Sequence, residues 1–180
     1  MTRFEDKDLS QNAFLGGKLH LWQPVKGYRA GVDPVLLAAS VPATSGQSVL
    51  ELGCGAGAAI LCLAARVPGL QMCGVELQPP YAGLARRNAA DNSITLEVAT
   101  ADLGALPTEL KQRQFDHVIA NPPYYRAGAH SPAHDSGRSV ALGEQTPLAN
   151  WIDVATKRLA PRGYLPVSYT HLTLPTTPYV

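Results

Sequence analysis

Short apolar stretches separated by polar and glycine-rich turns repeat along most of this chain. Compact runs of apolar and β-branched residues predict buried strands, and longer runs with helical spacing predict the helices that cover them. Strands that alternate with helices in this way are typical of a doubly wound, mainly parallel sheet of the α/β class. The predicted strands are 19–22, 48–52, 71–76, 95–100, 115–120 and one starting at 164; the predicted helices begin at 33, 58, 79 and 148.

The two ends of the chain do not follow this pattern. Residues 1–13 are predicted to form a flexible polar tail, and residues 14–167 a single α/β domain. Residues 168–180 are dominated by Thr and Pro and have neither a helical period nor a core pattern. This segment looks like foreign sequence joined to a truncated gene, which would leave the last strand with an exposed apolar edge.

Composition limits the classes of partner that this chain can have. A formal net charge of +1 gives no global basic field, so nucleic acid would have to bind through local patches. The charged N-terminus excludes a secretory signal, no stretch predicts a membrane span, and the three cysteines are typical of small buried residues in a reducing cytoplasm. We therefore expect a cytoplasmic, monomeric protein. The basic candidates are Lys18, Lys26, Arg29, Arg126, Arg138, Lys157, Arg158 and Arg162.

The sequence Asn121-Pro122-Pro123-Tyr124 directly follows the predicted strand 115–120. Two prolines end the strand, since neither has a backbone N–H for the sheet ladder. The side-chain oxygen of Asn121 and the carbonyl of Pro122 can accept both hydrogens of an amino group, while Tyr124 stacks on a flat ring. These residues predict chemistry on a planar amide or on an exocyclic base nitrogen, at the sheet edge where ligands bind in α/β folds.

A glycine-rich turn links the strand 48–52 to its helix through Glu51, Gly53, Gly55 and Gly57. Glycines let a backbone turn tightly and approach a ligand without a Cβ atom in the way. The next strand ends at Glu76, whose carboxylate can accept hydrogen bonds from two ribose hydroxyls. On their own these residues also satisfy the looser dinucleotide fingerprint, so the turn leaves a nicotinamide enzyme and a methyltransferase both open.

Together these motifs resemble a known family. The chain resembles the class I S-adenosylmethionine-dependent methyltransferases of the Asn-Pro-Pro-Tyr subgroup, and within it the tRNA adenine-N6 methyltransferases that act on a valine tRNA. The resemblance runs from about residue 14 to 165. Its motifs are the Gly27–Leu37 segment, the Glu51–Gly57 turn, Glu76, Asp102 and the Asn121–Tyr125 segment.

The resemblance implies a Rossmann-like fold, S-adenosylmethionine as cofactor and tRNA as partner. It implies that the final antiparallel strands of the family are missing here. In the binding site it implies that Asp33 lies near the cofactor and that Asp102 reads the adenine amino group. The alternative for both aspartates is a helix-capping or turn-capping role. Glu51 is expected to orient the methionine end of the cofactor.

Other functions remain open at this point. Protein-glutamine N5 methyltransferases use the same tetrapeptide on a planar amide, but they carry a separate helical N-terminal domain, which the short N-terminus here does not match. A DNA adenine methyltransferase would need a target-recognition domain. The unusual C-terminal segment 168–180 favours a further hypothesis, that the chain is an inactive, truncated cofactor-binding fragment. We expect no metal site. Pro132 lies between His130 and His134 and would break the helix that is needed to align two histidines on one metal ion.

Overall fold

The computed structural model describes residues 3–122 and 146–168. None of the helices in these ranges is long and apolar enough to cross a membrane. In chain order the elements are β1 (Leu9–Phe14), β2 (Leu19–Pro24), α1 (Asp33–Ser40), β3 (Ser48–Leu52), α2 (Ala58–Arg66), β4 (Gln71–Glu76), α3 (Pro79–Asp91), β5 (Glu97–Thr100), α4 (Thr108–Lys111), β6 (Phe115–Ala120), α5 (Leu148–Arg158) and β7 (Leu159–Tyr164).

Five parallel strands form the central sheet in the order β5-β4-β3-β6-β7. The chain winds outward from β3 to β5 on one side and then returns to continue from β6 to β7 on the other. The direction of winding therefore reverses between β3 and β6. In open α/β sheets the crevice at such a reversal is where ligands bind. The doubly wound parallel fold that the sequence predicted is confirmed.

Two hydrophobic layers cover opposite faces of this sheet. One contains Val49 of β3 together with α1, α2 and the β1–β2 hairpin, and the other contains Leu50 and Leu52 of β3 together with α4 and α5. Neighbouring residues of β3 thus enter different layers, as the alternation of side chains along a strand requires. Because the central strands are buried on both faces, their sequences consist of nearly continuous apolar runs.

The expectation of a loose tail at 1–13 is wrong for its second half. Residues Leu9–Phe14 form β1, which pairs antiparallel with β2 from Leu9–Pro24 to Phe14–Leu19. The link between the strands uses left-handed backbone at Leu15, Gly16 and Gly17. Only Leu9 of β1 is buried, and the polar run Ser10–Asn12 interrupts its apolar residues, so its sequence resembles that of a coil. Pairing with β2 supplies the backbone hydrogen bonds that make it a strand.

The last strand also differs from its predicted form. Pairing starts at Leu159, opposite Phe115, and resumes at Tyr164, opposite His117, so the residues between them bulge out of the ladder. Arg162 has a left-handed φ of 65° within this bulge. Pairing then continues past the predicted domain end, because the N–H of Ser168 donates to the Ala120 carbonyl at 3.0 Å. The rest of the tail, residues 169–180, lies outside the described residues.

Asn88 of α3 and Asn92, the C-cap residue that follows this helix, hold the β1–β2 hairpin in place. The Asn88 amide accepts from the Trp22 N–H at 2.7 Å and donates to the Trp22 carbonyl at 3.0 Å. One turn later Asn92 makes the same pair of bonds with His20, at 3.0 and 2.8 Å. These side chains take the place of a neighbouring strand along the open edge of β2. Asn88 also donates to the carbonyl of Ala56 in the glycine turn at 2.9 Å, which ties the hairpin to the cleft described next.

Candidate active site

A deep cleft opens at the carboxyl ends of β3, β4, β5 and β6. It encloses about 1230 Å³ of empty space, part of it open to solvent. Residues from the loop between β2 and α1, the glycine turn, three strand ends and α5 surround it. Among the lining residues are Tyr28, Glu51, Gly53, Gly55, Glu76, Asp102, Asn121, Pro122 and Trp151. Most of the predicted site residues that the structure describes therefore meet in one cleft.

The glycine turn has left-handed backbone at Gly53, Gly55 and Gly57, with φ values of 64°, 54° and 86°. Such values are strained for any residue with a Cβ atom. A Cβ atom on Gly53 would also lie 2.5 Å from Cη2 of Trp151, so this glycine makes room for the indole ring. Gly57 is the residue before α2 and faces Leu61. It shapes the start of the helix and is not among the lining residues of the cleft.

Glu51 connects the glycine turn to α2. It is only 2% exposed, and its Oε2 accepts from the N–H of Ile60 in the first turn of α2 at 3.0 Å. The pKa of Glu51 is raised to about 8, mainly by burial; the Ile60 hydrogen bond opposes this shift and the nearby Glu76 carboxylate adds to it. At neutral pH this carboxyl group is therefore mostly protonated, and a cation in the cleft would favour its ionised form.

Glu76 ends β4 with both oxygens bound to backbone. Oε2 accepts from the N–H of Gly55 at 2.8 Å, and Oε1 accepts from the N–H of Gln78 at 2.8 Å. Burial raises the pKa of this group above its usual range, and the two backbone N–H donors lower it in part. Each carboxylate oxygen has a further lone pair, so Glu76 can still accept hydrogen bonds from a diol in the cleft.

The family resemblance assigns Asp33 and Asp102 to the cofactor site, but only Asp102 is among the residues that line the cleft. Asp102 lines the cleft, and its Oδ1 accepts from the N–H of Gly104 at 2.7 Å, so it does cap the turn that follows β5. Asp33 is not the N-cap of α1, contrary to the capping alternative. The N–H groups of Val35 and Leu36 donate to the Val32 carbonyl, so the helix begins one residue earlier and the Asp33 side chain makes no capping bond. Pro34, not Asp33, is among the lining residues.

The described part of the tetrapeptide borders the same cleft. Asn121 is half-buried and Pro122 is buried, and both directly follow β6. The Asn121 amide nitrogen lies 3.5 Å from the hydroxyl of Tyr28. Pro123 and Tyr124 lie outside the described residues, as does the region 125–145 that contains Arg126, Arg138 and both histidines of the rejected metal motif.

Cys54 lines the cleft, but its thiol is not poised for reaction. A Cβ atom added at Gly74 would meet the Cys54 sulfur at 2.8 Å, so the thiol fills the space left by that glycine. Burial, reinforced by the Glu51 and Glu76 carboxylates, raises the pKa of this thiol well above its ordinary value. Cys62 and Cys73 are also buried and unbridged, which confirms the prediction of three packing cysteines.

Two residues of the cleft had no role in the sequence analysis. Tyr28 lies in the loop before α1, within a recognised motif but without any assigned chemistry. Trp151 is 8% exposed and reaches the cleft from α5, and its apolar helical spacing indicated only a core position. Gly53 is the sequence feature that could have pointed to Trp151. A glycine at this position is consistent with a large side chain packed against it, but the local sequence does not reveal which residue that is.

The cleft fits S-adenosylmethionine in its chemistry. The Gly55 backbone faces it with no Cβ atom, and a Cβ there would meet only the Tyr28 ring, at 3.9 Å. Glu76 offers carboxylate lone pairs suited to ribose hydroxyls, and Asp102 offers a carboxylate beyond it. Glu51 lies buried at the other side of the turn, where a cationic amino acid group would offset its burial.

Comparison with known proteins agrees with this chemistry. Residues 31–171 match the family model of the methyltransferase small domain. A Porphyromonas gingivalis protein named tRNA1(Val) (adenine(37)-N6)-methyltransferase is 36% identical over 150 residues, which are 76% of this chain and 56% of that protein. One of the same name from Actinobacillus succinogenes is 29% identical over 91% of this chain and 68% of that protein. The chain thus spans little more than half of the Porphyromonas relative.

Solved structures show the same fold. A 16S rRNA N2 methyltransferase from T. thermophilus, in complex with AdoMet and guanosine, superposes with a TM-score of 0.61 at 24% identity, over 87% of this chain and 41% of that one. A methyltransferase from Agrobacterium tumefaciens also has a TM-score of 0.61, at 16% identity, over 93% of this chain and 54% of that one. The chain belongs to the methyltransferase small domain family of class I methyltransferases, whose cofactor is S-adenosylmethionine.

Proposed function

We propose that this protein transfers a methyl group from S-adenosylmethionine to the N6 amino group of an adenine in tRNA. The observation that carries the proposal is the position of Asn121 and Pro122, which end β6 at the same cleft as the glycine turn and Glu76. The names of the relatives, which are up to 36% identical, support adenine in tRNA as the substrate.

Under this proposal some residues of the cleft bind the cofactor and others contact the target base. Glu76 holds the ribose hydroxyls, Asp102 accepts from the adenine amino group, and Glu51 stabilises the amino acid end. When bound, S-adenosylmethionine supplies an electrophilic methyl group on a sulfonium. The cleft therefore needs to orient its two ligands and exclude water, and it needs no strong base for the attack itself.

Asn121 and Pro122 prepare the target nitrogen. The lone pair of an adenine amino group is delocalised into the ring, which makes the nitrogen a poor nucleophile. Hydrogen bonds from its two hydrogens to the Asn121 Oδ1 and the Pro122 carbonyl favour a pyramidal nitrogen with a localised lone pair. The base must leave its stack to reach this position, and the proposed role of Tyr124 is to stack on the base there, an interaction worth about 1–3 kcal/mol in other systems.

The candidate basic residues contribute unequally to RNA binding under this proposal. The Arg29 guanidinium is held by Ser10, Asn12 and the Pro24 carbonyl, and that of Arg158 donates to the carbonyls of Leu110 and Arg113. Lys157 is paired with Asp153. Lys18 and Lys26 make no ion pair with the described residues, and we expect them to contact phosphates.

Methyl transfer to tRNA lacking the modification tests the proposal, with a release factor as the comparison substrate. The wild-type chain should methylate adenine N6 in the tRNA and leave glutamine unmodified. Asn121→Ala should reduce the single-turnover rate about 100-fold or more while cofactor affinity changes little, as expected for a group that acts on the target. Near-normal turnover of Asn121→Ala contradicts the mechanism, and glutamine methylation contradicts the substrate.

A further inference from the structure

The loop between β2 and α1 is fixed over the cleft at three successive residues. The N–H of Tyr28 donates to the Tyr81 hydroxyl at 2.8 Å, and that hydroxyl donates back to the Tyr28 carbonyl at 3.3 Å. The Arg29 guanidinium binds the Pro24 carbonyl at 2.7 Å, and the N–H of Ala30 donates to Gln23 at 2.7 Å. Tyr81 is itself buried at 3% exposure. The backbone of Tyr28 is thus held in place before any ligand binds.

The side chain of Tyr28 spans the cleft from this anchor. Its ring carbon Cε1 lies 3.9 Å from where a Cβ atom of Gly55 would be, so the ring faces the glycine turn. Its hydroxyl lies 3.5 Å from Nδ2 of Asn121, where it accepts a hydrogen bond. The Tyr28 side chain therefore faces the glycine turn, on the cofactor side of the cleft, and also contacts Asn121, which is proposed to prepare the target nitrogen.

The orientation of the Asn121 amide decides whether the proposed chemistry is possible. An asparagine amide has an acceptor end and a donor end of nearly equal size, so packing alone does not choose between them. Only Oδ1 can accept a hydrogen from the target amino group. A hydrogen-bond acceptor that captures Nδ2 selects the productive orientation, and the Tyr28 hydroxyl is in that position.

We propose that Tyr28 is a positioning residue that acts through Asn121. Its hydroxyl accepts from Nδ2 and thereby keeps Oδ1 directed at the amino group to be methylated. This inference rests on the proposed function for its catalytic consequence. The separation of 3.5 Å is long for a hydrogen bond, and we expect it to shorten in the complex with cofactor and target, where catalytic hydrogen bonds commonly tighten.

A substrate-free measurement tests the contact itself. The side-chain amide signals of Asn121 in a ¹⁵N-correlated NMR spectrum are assigned by their loss in Asn121→Asp. Tyr28→Phe removes only the hydroxyl and should shift the Asn121 signals, whereas Tyr164→Phe, at an exposed tyrosine on β7, should leave them in place. Asn121 signals that are identical in wild type and Tyr28→Phe overturn the inference, whatever the substrate is.

Kinetics on tRNA test the consequence. Tyr28→Phe should lower the single-turnover methylation rate about tenfold while the Kd for S-adenosylmethionine stays the same, because the ring over Gly55 remains. In the double variant Tyr28→Phe/Asn121→Ala the rate should equal that of Asn121→Ala alone, since a residue that acts through Asn121 has no effect without it.

The outcomes separate the two proposals. A normal rate in Tyr28→Phe, or a further loss in the double variant, overturns the role of Tyr28 and leaves the proposed function standing. A wild-type chain that methylates no adenine in tRNA overturns the proposed function, and the Asn121 amide signals then decide whether Tyr28 orients this residue.

Discussion

At the residue scale, the cleft contains two buried carboxyl groups, those of Glu51 and Glu76. Glu51 and Glu76 are 2% and 7% exposed, and neither takes part in the ion pairs formed by the described residues. Burying a carboxylate without a partner costs free energy, so the protein favours the protonated acids. A cationic group bound in this cleft would offset the cost of ionising these acids.

Glu51→Gln should make the free energy of unfolding less sensitive to pH. The folded pKa of about 8 is above the unfolded value of 4.5. The stabilising contribution of Glu51 is therefore fully present below pH 4.5 and is lost as pH rises through about 8. Glutamine keeps an acceptor for the Ile60 N–H and carries no charge, so the variant should gain on wild type by a few kcal/mol between these limits. Urea unfolding at a series of pH values measures the difference.

The comparison between variant and wild type reports the titration of Glu51 together with its electrostatic coupling to Glu76. His117 and Asp116 have lowered pKa values and make stability rise with pH, but both are present in each protein. Glu97→Gln, at an exposed ion pair with Arg113, is the matched control and should leave the pH profile nearly unchanged. Parallel pH profiles for wild type and Glu51→Gln would show that this carboxyl is not buried in protonated form.

Gly53→Ala should unfold or strongly destabilise the protein, because its methyl group would overlap the Trp151 ring at 2.5 Å on left-handed backbone. We expect a loss of about 2–4 kcal/mol in chemical denaturation, together with weakened cofactor binding. Gly83→Ala is the control, since that glycine lies within α3 with nothing within 4 Å of a new Cβ. It should stabilise the protein by about 0.5–1 kcal/mol. Equal effects of the two substitutions would refute this account of Gly53.

At the scale of elements, α3 serves the hairpin as a substitute for a third strand. Asn88 in the helix and Asn92 at its C-cap are four residues apart, which places them one above the other, and they pair with alternate residues of β2. This contact covers an edge that would otherwise be open and positions the loop that carries Tyr28. The helix therefore links the hairpin to the cleft without a shared sheet.

Asn88→Ala should cost more than Asn92→Ala. Asn88 is fully buried, and its loss leaves the N–H and carbonyl of Trp22 and the carbonyl of Ala56 without their partner. We expect a loss of about 2–4 kcal/mol for Asn88→Ala and about 1 kcal/mol for Asn92→Ala, whose bonds are exposed to water. Urea denaturation gives both values, and comparable losses would mean that burial does not decide the strength of this contact.

At the scale of the whole molecule, the cleft joins parts that are far apart in the chain. The loop between β2 and α1, the turns after β3 and β4, the segment after β6, and α5 each contribute lining residues, so a ligand in the cleft contacts both halves of the sheet. Binding to the folded state alone raises its stability by mass action. A cofactor should therefore stabilise the entire fold and not one segment.

S-adenosylmethionine at a concentration 100 times its Kd should raise the free energy of unfolding by about 2.7 kcal/mol, whereas NAD at the same concentration should have no effect. Calorimetric titration gives the Kd, and thermal unfolding with each ligand gives the stabilisation. Stabilisation by NAD would reopen the dinucleotide interpretation of the glycine turn. Absence of any effect from S-adenosylmethionine would mean that this chain does not form the binding-competent cleft.

Much of the fold was determined by local sequence. The predicted ends of β3, β4 and β6 agree with the observed ones. Central parallel strands are buried on both faces, so their sequences are apolar runs bounded by turn residues, which are easy to recognise. The glycine turn, Glu76 and Asn121 could be identified as site residues for a related reason. Each lies at the end of a strand or directly after it, and the carboxyl ends of parallel strands meet at one edge.

Only the tertiary structure decided the rest. β1 has no apolar run and becomes a strand by pairing with β2, and Asn88 resembles any polar helical residue until its partners on β2 are known. Tyr28 and Trp151 enter the cleft from elements remote from the glycine turn, so their roles depend on distances that no local pattern encodes. Sequence periodicity reports which side of an element is buried, whereas the identity of the neighbour is settled only when the elements pack together.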